Sequence, residues 1–285
     1  MSVTIIGDSA CDMTQEEAAQ RGVILLPLKT IIDGEEYLDG VTITHEEFYE
    51  KLNTCQELPS TSQVSPAAFA DAFRQATADG GEAVAVTLSG GLSGTVQSAH
   101  IAAEDFPGKV WVVDSENVTA GERILLEYAI ILRDQGLSAA EIAEKLNRAK
   151  KRICLLARFD TVKYLMKGGR LSRAAALGCS VLNIKPIVTV VNGEAKLIGK
   201  GRGAKHSRTL LTGFIHKYSG IDFSMPYSLA YTGADNSLIR EYAEENRELW
   251  AGHVDSLPYS KVGSTIGTHA GPGAIAVAFF TKKEV

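Results

Sequence analysis

The chain has 285 residues, of which 45% are hydrophobic, and its net charge is −5 with an isoelectric point near 5.7. This length allows two domains with sizeable apolar cores, and the acidic balance argues against nucleic acid or an anionic membrane surface as a main partner. Cys11, Cys55, Cys154 and Cys179 form no C-x-x-C pair, which indicates reduced thiols and neither a disulfide framework nor a zinc site. We see no signal peptide and no apolar run of the roughly 18–20 residues that a membrane span needs, so we expect a cytoplasmic protein.

The first half of the chain alternates predicted strands with predicted helices. Apolar β-rich runs predict strands at 3–6, 23–26, 83–88 and 110–113. Helix-capping signals stand at Thr14, Thr44, Ser65 and Ser138, and a further long helix is predicted over 120–135. Asp33-Gly34 predicts a hairpin between two short strands. Because strands and helices alternate, this half is expected to form a parallel sheet flanked by helices.

The second half mixes hairpins with helices. Asn192-Gly193 predicts a two-residue hairpin between strands at 186–191 and 195–198. Further strands are predicted at 153–158, 227–231 and 274–280, and helices at 204–217 and 235–250. We therefore predict an α/β protein of two domains. Residues 1–152 would form an N-terminal parallel α/β/α sheet, and residues 153–285 would form a C-terminal α/β domain with a mixed sheet.

A Ser/Gly loop between a strand and a helix is the most informative feature of the sequence. Residues 89–95 read SGGLSGT, between the apolar strand at 83–88 and a helix that begins near Thr95. Glycine lets a ligand come close to the backbone, and a helix N-terminus presents unpaired N–H groups. The hydroxyls of Ser89, Ser93 and Thr95 add further donors, so the loop is suited to hold an anion.

Small polar residues follow three of the predicted strands in the first half. They are Asp8-Ser9, Ser89 and Asp114-Ser115. If these strands are neighbours, their carboxyl ends would form one polar rim, which is where open α/β sheets bind ligands. The alternative is that the Asp and Ser side chains cap the helices that follow.

Other polar segments are weaker candidates for a site. Thr61, Ser62 and Gln63 supply donors in a loop, and His269 stands among small residues at 267–273. Lys163, Lys167, Arg170 and Arg173 form a basic cluster that is either a solvated face or a contact for an acidic partner or a phosphate. Arg202 lies in a Gly-rich basic stretch at 199–203, which lacks the spacing of known nucleotide loops. Histidines, carboxylates and cysteines show no metal-ligand spacing, so no metal is predicted.

Two enzyme classes stay open from the residues alone. A serine hydrolase would use Ser93 as nucleophile with His269 and either Asp8 or Asp114, although the segment around Ser93 is not G-x-S-x-G. A sugar or polyol phosphate enzyme would use the Ser/Gly loop to hold its substrate.

Taken together, the motifs resemble those of the DegV family of bacterial lipid-binding proteins. The shared motifs occur in the family's order and span nearly the whole chain: DSACD at 8–12, STSQ at 60–63, LSGGLSGT at 88–95, VDS at 113–115, KGGRLS at 167–172, IKPI at 184–187 and IGTHAGPGA at 266–274. Each motif is short, but the combination is specific. The family usually has a denser basic run around Arg202 than this chain has.

The resemblance implies a two-domain α/β fold that holds a long-chain fatty acid between its domains, without another cofactor. Some members are the acyl-binding subunit of a fatty acid kinase, whose separate ATP-binding subunit phosphorylates the carboxylate. By this resemblance Thr61, Ser93 and His269 match the residues around the carboxylate. Ser62, Gly94 and Thr95, which lie in the same donor-bearing segments, complete the carboxylate site that we predict. The resemblance also matches Arg170 and Arg202 to basic residues near the site mouth. Lys167 and Arg173, from the basic cluster described above, are expected to contact the kinase partner or the phosphate as well.

Overall fold

A computed structural model describes residues 2–172, 174 and 183–283. The described strands, in chain order, are β1 (Val3–Asp8), β2 (Val23–Leu26), β3 (Lys29–Ile32), β4 (Glu35–Leu38), β5 (Ser60–Ser62), β6 (Glu82–Thr87), β7 (Val110–Asp114), β8 (Ile153–Arg158), β9 (Ile184–Val191), β10 (Glu194–Arg202), β11 (Tyr227–Tyr231), β12 (Tyr259–Lys261) and β13 (Ile275–Phe280).

Helices connect most of these strands. The described α-helices are α1 (Gln15–Gln20), α2 (His45–Thr54), α3 (Pro66–Thr77), α4 (Thr95–Ala103), α5 (Ala120–Asp134), α6 (Ala139–Ala149), α7 (Lys163–Lys167), α8 (Ala204–Lys217), α9 (Ser237–Glu245) and α10 (Ser264–Ala270). The predicted capping signals are confirmed, because Thr14, Thr44, Ser65 and Ser138 each accept a hydrogen bond from the first turn of the following helix.

The first half forms a parallel four-stranded sheet in the order β2-β1-β6-β7. Alternate residues of its strands face opposite layers. Ile6 and Ala85 pack on α3 and α4, whereas Ile5 and Val84 pack on α5 and α6. The predicted parallel α/β/α arrangement is therefore confirmed.

The second half forms a separate mixed sheet of six strands in the order β10-β9-β8-β13-β11-β12. One face is covered by α8 and α9, with Leu156 and Phe279 in the core between them. The other face, which includes Leu155 and Ala278, shares a core with α5. Helix α5 thus packs against both sheets.

A third, three-stranded sheet in the order β4-β3-β5 adjoins these layers. It contains the predicted hairpin at Asp33-Gly34 and also β5, which was expected to be a loop. Strand β12 and helix α10 were also missed, and the helix expected over 235–250 ends at Glu245 and is followed by a 3-10 turn. The division into domains at residues 152 and 153 stays a prediction, although the parallel sheet ends at Asp114 and the mixed sheet begins at Ile153. Within the described part of the chain, no helix is long and apolar enough to cross a membrane.

Candidate functional site

A cavity of about 400 Å³ lies between the parallel and mixed sheets. Such a volume is typical of pockets that enclose a small organic ligand. The wall from the second half consists mainly of small and branched apolar residues on alternate positions of its strands: Leu155, Ala157, Val188, Val190, Ala230 and Ala276. The wall from the first half includes Leu28, Leu88, Leu92 and Val118.

Three alanines form the floor of this cavity. Ala276 of β13 is paired with Ala157 of β8 on one side and with Ala230 of β11 on the other, and all three line the cavity. Because paired residues of neighbouring strands point to the same face, the methyl groups stand side by side. The row leaves a shallow apolar groove where larger side chains would fill the space.

Polar groups from four separate segments also line the cavity. Thr61 and Ser62 come from β5, Ser93 and Gly94 from the loop before α4, His269 from α10 and Arg170 from the segment after α7. All six were predicted site residues, and they lie far apart in the sequence. The fold brings them together because α10 and α7 of the second half pack on each other, and α10 also packs on β5.

A side-chain hydrogen bond in this group joins Thr61 to His269. Thr61 Oγ1 and His269 Nε2 are 2.9 Å apart. Burial, with a smaller contribution from the nearby positive charge of Arg170, lowers the pKa of His269 to about 4. The imidazole is therefore neutral at physiological pH and carries one N–H.

The other ring nitrogen of His269 faces the backbone of Gly168. Nδ1 is buried and has no hydrogen-bond partner among the described residues. A methyl group added at Gly168 would lie 2.2 Å from Nδ1, so the imidazole packs directly on the glycine. Since a buried donor without a partner is costly, the hydrogen is better placed on Nε2, which can donate it to Thr61.

The Ser/Gly loop is folded around its own hydroxyl groups. Ser93 Oγ lies 3.0 Å from Thr95 Oγ1 and accepts from the Thr95 backbone N–H at 3.3 Å. Thr95 is fully buried behind Ser93 and is not among the residues that line the cavity. Gly94 is in close contact with Gln63, because an added methyl group would lie 2.1 Å from Gln63 Oε1.

Arg170 is the one charged side chain among the described residues that line the cavity, since His269 is neutral. Its Nε donates to the carbonyl oxygen of Leu92 at 3.1 Å, and Nη1 donates to that of Gly168 at 2.5 Å. These bonds tie the guanidinium to both the Ser/Gly loop and the glycine under His269. No carboxylate lines the described part of the cavity, so the potential there favours an anion.

The polar rim at the strand ends has a structural role in this fold. Strands β1, β6 and β7 are neighbours as expected, but Asp8 accepts from the backbone N–H groups of Ala10 and Leu88. Asp114 accepts from Gly90 and Glu116 in the same way. These side chains stabilise the loops that follow the strands and do not line the cavity.

The basic residues expected at the site mouth differ in position. Lys163 and Lys167 are exposed on α7, four residues apart and so on one face of the helix. Arg202 is exposed at the end of β10 and does not line the cavity. Glycine at 201 is explained by packing, because an added methyl group would lie 2.5 Å from Cα of Ser207 in α8. Arg173 lies outside the described residues.

Several cavity residues were not recognised from the sequence. Thr119, Thr189, Thr232 and Thr265 line the cavity along with the apolar wall. The alternate apolar positions of β8 and β9 predicted strands, but the same pattern is typical of any sheet face in a core. Among the described residues, no group of histidine, cysteine and carboxylate side chains could hold a metal ion.

Comparison with known proteins identifies the family. Residues 2–282 match the family model described as "Uncharacterised protein, DegV family". The chain belongs to the DegV family. A DegV domain-containing protein of Deinococcus radiodurans is 35% identical over 279 residues, which cover 98% of each chain.

Solved structures of DegV relatives share this fold. A fatty-acid-binding DegV family protein of Thermus thermophilus superimposes with a TM-score of 0.87 at 30% identity, covering 98% of this chain and 100% of that chain. The fatty acid kinase (Fak) B3 protein of Streptococcus pneumoniae, loaded with linoleic acid, superimposes with a TM-score of 0.84 at 23% identity, covering 99% and 100%. The second likeness shows the shared fold alone.

The hydrolase alternative gains no support. Ser93 hydrogen bonds with Thr95, and His269 with Thr61, so no Ser–His pair is formed among the described residues. Asp8 and Asp114, the expected third members of a triad, bond to backbone amides instead. The names of the similar proteins reported above mention neither a hydrolase nor a sugar phosphate enzyme.

Proposed function

We propose that this protein binds a long-chain fatty acid in the cavity between its sheets and presents the carboxylate to an ATP-binding kinase subunit. The observation that carries the proposal is the composition of the cavity. Its long walls are apolar, and its polar groups are hydroxyls, a neutral histidine and one arginine, without a carboxylate among the described residues. The Thermus relative that binds a fatty acid has the same fold.

The tail would supply most of the affinity. Burial of each CH₂ group stabilises a complex by about 0.8 kcal/mol, so a sixteen-carbon tail contributes roughly 10 kcal/mol before ordering costs. The alanine row of Ala157, Ala276 and Ala230 offers a continuous apolar floor for such a tail.

The carboxylate would be held where the apolar walls of the cavity end. With its hydrogen on Nε2, His269 donates to Thr61, and the Thr61 hydroxyl hydrogen is then left to donate to the ligand. Ser93 supplies a second hydroxyl, and the N–H groups at the start of α4 add helix-end donors. These donors offset the cost of removing a carboxylate from water.

Calorimetric titration of delipidated protein tests the binding proposal. We expect palmitate to bind tightly and methyl palmitate to bind at least tenfold more weakly, because the ester has the same tail but lacks the charge that the donors recognise. Equal binding of the acid and the ester would contradict the assignment of the carboxylate site, and binding of neither would contradict the function.

The kinase part of the proposal rests on the position of the carboxylate donors at the partly open end of the cavity. Ser62, Gly94 and Gln63 line the cavity and are exposed to solvent, so a partner could reach the head group there. In this scheme the partner supplies ATP, and Arg170 lies where the new acyl phosphate would form. The isolated chain with ATP, Mg²⁺ and palmitate should make no acyl phosphate, whereas addition of the ATP-binding subunit should produce it.

A further inference from the structure

Asp39 is a buried carboxylate outside the group of predicted site residues. It follows β4 in the first half, and its side chain is about 2% exposed. Its oxygens accept from the backbone N–H groups of Ser264 at 2.8 Å and Thr265 at 3.3 Å, and from the Ser264 hydroxyl at 2.8 Å. Ser9 donates to the same carboxylate at 3.0 Å.

These bonds cap the N-terminus of α10, the helix that carries His269. The residue before this helix is Gly263, which has no side chain to cap it. The first N–H groups of the helix therefore depend on a carboxylate that lies 225 residues away in the sequence. Gly263 allows the approach, because an added methyl group there would lie 2.8 Å from Asp39 Oδ1. A carboxylate at a helix N-terminus is also favoured by the helix dipole.

The two ends of α10 are held by one small sheet. Thr30 of β3 and Thr61 of β5 are paired in register. Thr30 Oγ1 lies 2.9 Å from Ser264 Oγ at the start of α10, and Thr61 Oγ1 lies 2.9 Å from His269 Nε2 near its end. A seven-residue helix is only about 10 Å long and acts as a short rigid rod. A shift at its capped end would therefore move the imidazole relative to Thr61.

We propose that Asp39 is a positioning residue for the fatty-acid site, which acts by fixing α10 so that His269 meets Thr61. The Asp39 carboxylate does not line the cavity between the sheets, so its influence on the ligand passes through α10. This inference rests on the proposed fatty-acid binding for its effect on affinity, but the His269–Thr61 contact that it predicts exists without a ligand.

A double-mutant cycle on delipidated protein tests this route. Asp39→Asn keeps the shape but puts an amide where two backbone N–H groups need an acceptor, and we expect palmitate affinity to fall about tenfold. In a His269→Ala background the same change should alter affinity by less than about twofold, because coupled residues are not additive. An equal loss in both backgrounds, or no loss in the wild type, would overturn the proposal.

Nitrogen-15 NMR of the histidine rings in the ligand-free protein supplies a readout that does not depend on fatty acid. We expect Asp39→Asn to shift the His269 Nε2 resonance, assigned by its absence in His269→Ala. The control Asp222→Asn removes a carboxylate that bonds Ser224 and Arg152, away from α10, and should leave the resonance in place. An unshifted resonance in Asp39→Asn would overturn the proposal.

The two readouts separate failure of this inference from failure of the proposed function. If wild-type protein binds no palmitate, the function fails, and the NMR shift alone decides the role of Asp39. If Asp39→Asn does not fold, Gly263→Ala displaces the same carboxylate without removing it. Its backbone angles of −72° and −176° suit alanine, and it should reproduce both the affinity loss and the resonance shift, whereas wild-type values in both would refute the proposal.

Discussion

At the scale of single residues, the candidate site combines one neutral histidine with hydroxyl donors. Burial lowers the pKa of His269 to about 4, so the imidazole is neutral at physiological pH. Arg170 provides the fixed positive charge near the imidazole. The donors are thus ready for an anion without any titration in the physiological range.

Removal of the Ser93 hydroxyl should weaken binding without unfolding the protein. Ser93→Ala loses a hydrogen bond to a charged group, which is worth about 1.5–3 kcal/mol, or roughly 10- to 150-fold in affinity. Tail burial is unchanged, so binding should persist. Titration with palmitate measures the effect, and Ser256→Ala is the control, because this exposed serine does not line the cavity. An unchanged affinity would remove Ser93 from the site.

A methyl group at Gly168 should displace His269. The backbone of Gly168, with φ −75° and ψ −5°, suits alanine, but the added carbon would lie 2.2 Å from Nδ1. We expect Gly168→Ala to lower palmitate affinity by about tenfold, because the imidazole must leave Thr61. Gly213→Ala is the matched control, since an added methyl group meets nothing within 4 Å. Equal affinities for the two variants would show that the imidazole position does not matter.

At the scale of elements, sequence patterns predicted those segments whose signals are local. The capping box at Thr14 and the hairpin at Asn192-Gly193 depend on neighbouring residues, and both occur as expected. Helix α10 was missed because its cap, Asp39, comes from a distant segment. Strand β5 has three residues and exists by pairing with β3, which no local pattern reveals.

The candidate site residues also divide into those with a local sequence signal and those that depend on distant segments. Ser93 and Gly94 could be predicted because a strand, glycines and a helix start adjoin in sequence. The contact between Thr61 and His269 could be expected only from the family resemblance, since 208 residues separate them. The apolar walls could not be separated from ordinary core, because a cavity face and a packed face have the same alternation of side chains.

Helix α5 carries a buried acid that should make stability depend on pH. Glu122 is fully buried, and burial, together with the neighbouring carboxylates of Asp8 and Asp12, raises its pKa well above the usual range. Above about pH 4.5 Glu122 loses its proton in the unfolded chain but keeps it in the folded chain. The free energy of unfolding therefore falls as pH rises above this value.

Glu122→Gln removes this dependence, because glutamine resembles the protonated acid. Relative to wild type, the variant should gain about 1.4 kcal/mol of unfolding free energy per pH unit between pH 5 and pH 7. Denaturant unfolding at several pH values measures the difference. Burial also raises the pKa of Asp8 and that of Asp12 to about 7, so the wild type should be less stable at pH 7 than at pH 5. The prediction would be contradicted if the free energies of unfolding of the wild type and of Glu122→Gln changed with pH by the same amount.

Helix α7 is the candidate docking element for the kinase partner. Charge reversal of Lys163 and Lys167 to Glu should lower the rate of acyl phosphate formation with the ATP-binding subunit, more strongly at low salt, because exposed charges steer association. Palmitate affinity should stay near that of the wild type. Lys109→Glu is the control, since this exposed lysine precedes β7 at the amino end of the parallel sheet. A coupled rate unaffected by the reversals would exclude α7 from the interface.

At the scale of the whole molecule, the cavity is a consequence of how two sheets share one helix. Helix α5 packs on β1 and β6 of the parallel sheet and on β8, β11 and β13 of the mixed sheet. Beside it, the facing sheet surfaces stay apart, and small residues such as Ala157 and Ala276 leave about 400 Å³ between them. The polar groups that line the cavity come from both halves of the chain, so the site requires both to be folded together.

Native mass spectrometry of the purified protein tests the central claim most directly. We predict that the protein as purified carries one fatty acid per chain, that delipidation removes the added mass, and that palmitate restores it. Ser93→Ala should retain the added mass less well than the wild type at the same collision energy. If the wild type shows only the bare chain mass before and after addition of palmitate, the proposed function is wrong.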